Sequence, residues 1–323
     1  MEFFTDLAVE MAEHKDFDDT SGVTMNVTER GNVKLTHVEV LNDEGARAMQ
    51  KPAGSYVTIE SPSLKENDPD SHEAAAKVLA EELAKLINLK EHETALVIGL
   101  GNRFVTPDAL GPKVISRLLI TRHIMEILPD ELMGKVSSLC GMSPGVMGMT
   151  GIETAEVVRG LVSRVKPDKV IAIDALAARR IERINTTIQI TNTGISPGSG
   201  VGNARQMLNE ETLGVPTFAI GVPTVASAAT FVNDCMEAMI STMLDGIPKD
   251  LQDDAELIDM LKSMQNRERQ GAIRESLGHK ADMFVTPKEV DSVVSWLGGT
   301  IALGINMAIH QQLSIEDIGR FVY

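Results

Sequence analysis

The sequence predicts an α/β protein: a doubly wound, mostly parallel sheet with helices on both faces and an N-terminal β insertion. Three observations predict it. Apolar runs of strand length, LVIGLG at 96–101, VIAIDAL at 170–176 and PTFAIG at 216–221, lack in–out alternation, as strands covered on both faces do. Stretches with helical spacing stand between them, at 71–89, 114–128, 152–165 and 226–244, and such alternation is the mark of βαβ units. Finally, 323 residues at 43% hydrophobic content suffice for one large core, and no composition shift marks a boundary.

In chain order, residues 1–20 are mostly polar and acidic and read as an N-terminal arm, leaving 21–323 as a single domain. Segments 23–28 and 33–40 read as a hairpin around a Gly31-Asn32 turn, and 56–60 as a further strand punctuated by Pro52, Gly54 and Pro62. The helix at 71–89 carries Val78, Leu79, Leu83, Leu86 and Ile87 on one face. After the strand at 96, Thr106-Pro107 reads as a cap and first helical residue, and Pro129 ends the helix at 114–128. A strand is expected at 135–140 and β character at 183–191. Residues 246–280 are polar, with Met260, Leu261 and Met264 on one helical face, and suit an excursion or flap. Thr286-Pro287-Lys288-Glu289 has the form of a capping box opening a helix at 290–296; Gly298-Gly299 interrupts it before a last helix at 301–313.

A formal net charge of −16 argues against a nucleic-acid surface. Cys140 and Cys235 form no CxxC, which points to a reducing compartment. The N-terminus lacks signal-peptide character, and the apolar runs read as too short to span a bilayer, so a cytoplasmic location without membrane contact is expected. Seven scattered histidines make neither HExxH nor a Cys/His cluster, so no metal or other cofactor is expected.

The chemistry centres on two aspartates. Asp108 follows the strand at 96, and Asp174 lies near the carboxyl end of the next long apolar strand. Ligands and chemistry collect at that edge of open α/β sheets. Two carboxylates meeting there form an acid/base pair; otherwise each is an ordinary cap or turn aspartate. Gly141-Met142-Ser143-Pro144-Gly145 and Gly194-Ile195-Ser196-Pro197-Gly198 both match G-x-S-x-G, but proline after the serine disfavours a nucleophile elbow. These loops, with Ser199 and Gly200, are better read as cleft walls whose N–H groups face a peptide, an anion or an oxyanion. Gly99-Leu100-Gly101 lacks the third glycine of a dinucleotide fingerprint.

The motifs GLGNRFVTPDALGP, GMSPGVMGMTGIET, VIAIDALAAR, TGISPGSGVGNAR, GVPTV and FVTPKEVD together resemble the germination protease family of spore-forming bacteria, over nearly the whole chain. The resemblance implies a fold similar to hydrogenase-maturation endopeptidases. It implies an atypical aspartic peptidase whose essential aspartates are Asp108 and Asp174. It implies small acid-soluble spore proteins as substrates, a homotetramer in the spore core, and a zymogen that cuts its own N-terminus. Family cut sites follow an acidic and precede an apolar residue, and Thr5-Asp6-Leu7-Ala8-Val9-Glu10 is similar to such a site, with the cut between Asp6 and Leu7. Two rival readings are a metallopeptidase of the hydrogenase-maturation type and a non-catalytic peptide- or anion-binding module.

Overall fold

A computed structural model describes residues 5–14, 22–129, 134–199, 205–245, 273 and 275–321. Its strands are β1 (Val23–Arg30), β2 (Val33–Val40), β3 (Gly54–Glu60), β4 (Thr94–Gly99), β5 (Ser138–Met142), β6 (Lys169–Ala178), β7 (Thr187–Thr191), β8 (Thr217–Ser227) and β9 (Phe284–Val285). The helices are α1 (Ala8–His14), α2 (Asp43–Met49), α3 (Pro69–Ile87), α4 (Leu110–Ile115), α5 (Met147–Thr150), α6 (Thr154–Val165), α7 (Glu210–Leu213), α8 (Ala228–Asp245), α9 (Val290–Ile309) and α10 (Ile315–Phe321).

All strands join one sheet of order β1-β2-β3-β7-β8-β6-β4-β5, with β9 paired to the end of β8. Strands β8, β6, β4 and β5 are mutually parallel, whereas β1, β2, β3 and β7 form an antiparallel half. The N-terminal insertion is therefore an extension of the main sheet, joined through β7. The parallel half is doubly wound. Leu79, Leu83, Leu110, Leu297 and Ile301 cover Val97, Ile171 and Ile220 on one face; Val158 and Leu213 cover Leu96, Ile98, Val170 and Ala172 on the other. This explains the unbroken apolar strands.

From β4 the chain crosses to β5 on one side and then returns to β6 on the other. The strand order reverses there, and a crevice opens between the β4 and β6 ends. Gly99 is the last residue of β4 and pairs with Ile173, so Asp174 is the first residue of β6 beyond that neighbour. Strand β6 itself continues to Ala178 alongside β8, which places Asp174 inside a strand rather than at its end.

Other expectations are corrected. Residues 5–14 are no free arm: Leu7, Ala8 and Val9 are fully buried, and α1 lies over β2 and β3. The helix expected at 114–128 ends at Ile115, because side chains of α9 claim the following backbone. Asn306 accepts from Leu119 N at 2.9 Å, and His310 bonds the Leu119 carbonyl at 3.1 Å. Helix α9 runs unbroken through Gly298-Gly299; at Gly298 a Cβ would stand 3.1 Å from that of Lys113, so this glycine serves close packing. By length and composition α9 is apolar enough to cross a membrane, contrary to the reading of short apolar runs, but it is 67% buried inside the protein. The capping box is absent: Thr286 Oγ1 donates to the Thr224 carbonyl, and α9 starts after Glu289 without a side-chain cap. Thr106 likewise sits inside a 3₁₀ turn, Thr106–Asp108, and donates to Asp291. The Met260, Leu261 and Met264 face lies outside the described residues.

Candidate active site

The Asp108 turn is fixed from three sides. Its 3₁₀ turn begins with proline near the first helical position. Thr224 of β8 donates to the Pro107 carbonyl at 2.8 Å, and Thr106 donates to Asp291 at 2.6 Å. Asp108 Oδ2 accepts from Asn102 N at 2.8 Å. Gly101, at φ 100°, permits this approach; a Cβ there would overlap the Asp108 carbonyl. Asp174 is 5% exposed, and its Oδ1 accepts the Ala175 N–H at 2.9 Å.

The two carboxyls share the crevice electrostatically. Burial pushes Asp174 well above the usual carboxylate range, and the charges of Asp108 and Asp6 raise it further. Burial also raises Asp108, opposed by the Asn102 N–H. Asp174 is thus the carboxyl that holds a proton most readily.

A third acid arrives on the chain's own N-terminus. Asp6 N donates to the Ala177 carbonyl at 3.1 Å, and Ala177 N returns a bond to Asp6 Oδ2 at 2.9 Å. Ser199 Oγ donates to Asp6 Oδ1 at 2.6 Å. The Asp6 carbonyl accepts from Lys51 Nζ at 3.0 Å and Gln189 Nε2 at 3.1 Å. Leu7 N donates to Thr5 Oγ1 at 3.1 Å, and the Leu7 side chain fills an apolar site with Leu176, Ala178, Ile184 and Ala226. Glu10, four residues after Asp6, accepts from the backbone N–H groups of Arg179 and Arg180, each at 2.8 Å, and from the Thr5 hydroxyl. The Arg183 guanidinium lies 3.7 Å from Glu10 and also binds Glu13 and Glu60 at 2.7 and 2.9 Å. Thr5 to Leu7 is non-helical, and the helix begins at Ala8 rather than the segment staying extended.

The model of a family described as germination protease matches residues 4–246 and 241–322. The chain belongs to the germination protease family. The germination protease of Clostridium tetani is 46% identical to it over 98% of each chain, and that of Bacillus subtilis 38% over 98% of this chain and 96% of its own. A solved NiFe hydrogenase maturation protease from Thermococcus kodakarensis aligns with 44% of this chain and 80% of its own, at 22% identity and a TM-score of 0.28.

The chain holds the sequence-predicted loops at different distances from that chemistry. Ser199 reaches Asp6, and Gly198 supports its loop at φ 73°. Gly200 lies outside the described residues. Gly141 is inside β5, where a Cβ would crowd Ile115 and Ile120 at 3.3 Å, so it serves packing. Ser143 and Gly145 follow β5, two strands from β6, and no described hydrogen bond joins them to Asp6, Asp108 or Asp174. Among the described residues no cluster of His, Cys, Asp and Glu is suited to a metal ion.

The fold also brings to the N-terminal segment residues that the sequence reading passed over: Lys51, Gln189, Arg183 and the Arg179-Arg180 amides. Gln189 carried a usable signal, being the one amide in the buried strand TIQIT. Glu60, the last residue of β3, pairs with Arg183 at 2.9 Å. Lys51 had no local signal. It follows α2, which is capped by Asn42 and ended by left-handed Gln50, and its role depends on tertiary contact alone. A cavity of about 220 Å³, lined by Asp6, Lys51, Tyr56, Gln189 and Ser199, continues from the Asp6 position.

Proposed function

We propose that the protein is an endopeptidase of two-aspartate type that first cuts its own chain between Asp6 and Leu7. Its further substrates are small acid-soluble spore proteins presenting the same pattern. The observation that carries this reading is the docked N-terminal segment: Asp6 bonds Ala177 and its charge acts on Asp174, Leu7 fills an apolar site, and Glu10 accepts two backbone amides.

In the proposed reaction, ionised Asp108 takes a proton from water while the water oxygen bonds to the carbonyl carbon. Asp174, kept protonated by burial, delivers its proton to the departing Leu7 nitrogen as the C–N bond breaks. The products are a carboxyl at Asp6 and an amine at Leu7. No step calls for a metal. The acidic side chains favour a mildly acid medium, since three carboxyls lie in one electrostatic neighbourhood. We assign the protein to the cytoplasm of the spore core as a homotetramer, on the resemblance alone.

The test is incubation of the purified full chain at mildly acid and neutral pH, followed by N-terminal sequencing, with Asp174→Asn as control. A new terminus at Leu7 in the wild type alone is expected. An intact Met1 terminus in a preparation that cleaves spore-protein peptides would refute self-processing. The same new terminus in Asp174→Asn would refute the role of that carboxyl.

A further inference from the structure

We infer that Lys51 and Gln189 form the oxyanion site of this protease: their Nζ and Nε2 donors hold the carbonyl oxygen of the bond that is cut. This rests on the Asp6–Leu7 reading above.

If that bond is the one hydrolysed, the oxygen that becomes anionic is the Asp6 carbonyl oxygen. It already accepts from Lys51 Nζ at 3.0 Å and Gln189 Nε2 at 3.1 Å. Donors at about 2.7–3.1 Å, fixed before reaction and shielded from water, are what stabilises a tetrahedral oxyanion. Both are oriented by other contacts. Lys51 Nζ also reaches the Thr5 carbonyl at 3.5 Å, and Gln189 Oε1 accepts from Ala8 N at 2.6 Å, which fixes the amide so that its NH₂ faces Asp6.

Sheet register explains the arrangement. Gln189 of β7 pairs with Gly221 of β8, and Gly221 pairs with Asp174 of β6. Directly paired residues present their side chains to the same face. Gln189 and Asp174 therefore share one row, about 10 Å apart at two strand spacings. Gly221 stands between them without a side chain, and both Asp6 and Gly221 line the cavity here. One end of the row thus carries the carboxyl and the other the Gln189 amide that donates to the Asp6 carbonyl. Lys51 completes the site from the loop before β3. Burial lowers its ammonium from the usual lysine value, opposed by the charges of Asp6 and Glu10.

The electron count closes. The water oxygen bonds to the Asp6 carbon, and the carbonyl π pair moves to the oxygen facing Lys51 and Gln189. As that pair returns, the C–N bond breaks, and Leu7 nitrogen leaves with the proton from Asp174. Such donors add most where negative charge develops, which the glycine-loop amides at 141–145 have no described bond to reach.

The experiment measures the first-order rate of self-processing of full-length wild type, Lys51→Met, Lys51→Arg and Gln189→Glu. Gln189→Glu keeps an acceptor for Ala8 N and exchanges the NH₂ donor for a carboxylate oxygen. Hydrogen exchange at the Leu7 and Ala8 amides reports whether the segment is docked, and Trp296 fluorescence reports folding. The expected result is a loss of about 10²–10³ in rate for Lys51→Met and Gln189→Glu with wild-type protection of the segment. Lys51→Arg should stay within about tenfold of wild type because it keeps a charged donor. Should Lys51→Met not fold, Gln189→Glu decides. Wild-type rates at Asp6–Leu7 in these variants would overturn the assignment. So would a lost rate accompanied by lost protection, since the residues would then only dock the segment. Cleavage of the wild type at another bond, seen by sequencing before any variant is made, overturns the underlying reading and the oxyanion assignment with it.

Discussion

Replacing Glu10 by alanine tests whether the N-terminal segment is held as a recognised sequence. Glu10 is 2% exposed and accepts the Arg179 and Arg180 amides at 2.8 Å each. Hydrogen bonds to a charged group contribute about 1.5–3 kcal/mol each, so loss of the pair removes roughly 3–6 kcal/mol. Arg183 keeps Glu13 and Glu60 and is not left uncompensated. Opposing undocking is the burial of Leu7, Val9 and Met11, at about 1.5–3 kcal/mol for each side chain. The two sums are of similar size. A sizeable fraction of Glu10→Ala molecules should therefore release residues 5–12, which lets water reach the orphaned amides. Hydrogen exchange at Leu7 to Ala12 should speed up, and self-processing should fall at least about tenfold. The urea midpoint followed by Trp296, the single tryptophan, should move much less, because that residue lies in α9. Cleavage of an added peptide of the same pattern should not fall, since its own glutamate finds the site vacated. Unchanged exchange protection together with unchanged self-processing would refute the reasoning.

Asp108→Asn and Asp174→Asn should each fold and lose at least about a hundredfold in peptidase rate, the low end for general acid/base function; near-wild-type turnover by either would sink the two-aspartate reading. Asp174→Asn should also be more stable than wild type as pH rises. A raised carboxyl pKa leaves no penalty below the unfolded value and one that grows as pH climbs from there toward the folded value, and asparagine abolishes it. Paired denaturation curves from pH 3 to pH 8 should converge at the acid end; parallel curves would contradict this. His310, fully buried, has its pKa pushed down to about 4 by burial and accepts the Ser137 N–H at 3.2 Å. Its stabilising contribution is present above about 6.5 and lost as pH falls toward 4, roughly 3 kcal/mol in all, and His310→Asn should flatten that stretch of the stability profile. Activity should survive exhaustive chelation; stoichiometric metal whose removal abolishes it and whose return restores it would favour the metallopeptidase reading.

The parallel half of the fold was legible because burial on both faces writes itself into strand composition. VIAIDAL and PTFAIG carry no alternation, and both became central strands. What failed to show was decided between distant segments. The helix pattern at 114–128 is sound locally, yet Asn306 and His310 sit nearly two hundred residues away and hold that backbone in another conformation. Gly298-Gly299 has the look of a break, but close contact with Lys113 and Arg117 supplies a packing reason for glycine inside a helix. The segment at 5–14 looked like an arm because its charges dominate its composition. Glu10 and Glu13 are polar only in isolation; Arg183 and the Arg179-Arg180 amides satisfy them, and Leu7, Val9 and Met11 can then be buried.

The site divides along the same line. Asp108 and Asp174 could be singled out as candidates because each lies by a doubly buried strand at the edge where ligands collect, although a cap or turn role would place an aspartate there too. Each belongs to the parallel half, where chain order already predicts neighbours. Lys51 and Gln189 belong to the antiparallel half, and only the β3–β7–β8 pairing carries them across to β6. That pairing also supplies a physical reason for the insertion. A parallel sheet edge alone offers carboxylates and strand-end amides, a combination suited to protonating or deprotonating a peptide but poor in fixed positive charge. The antiparallel extension adds a cation and an amide donor on the far side of a glycine, both facing the Asp6 carbonyl. Exchanging Gly221 for alanine would tell the two halves apart. Its Cβ would meet Leu176 Cγ at 2.5 Å, in the apolar group that also receives Leu7. The substitution should displace the segment and slow self-processing while Asp108, Asp174, Lys51 and Gln189 all remain. A Gly221→Ala chain that processes itself at the wild-type rate would mean that the space between the two halves is not where the peptide lies.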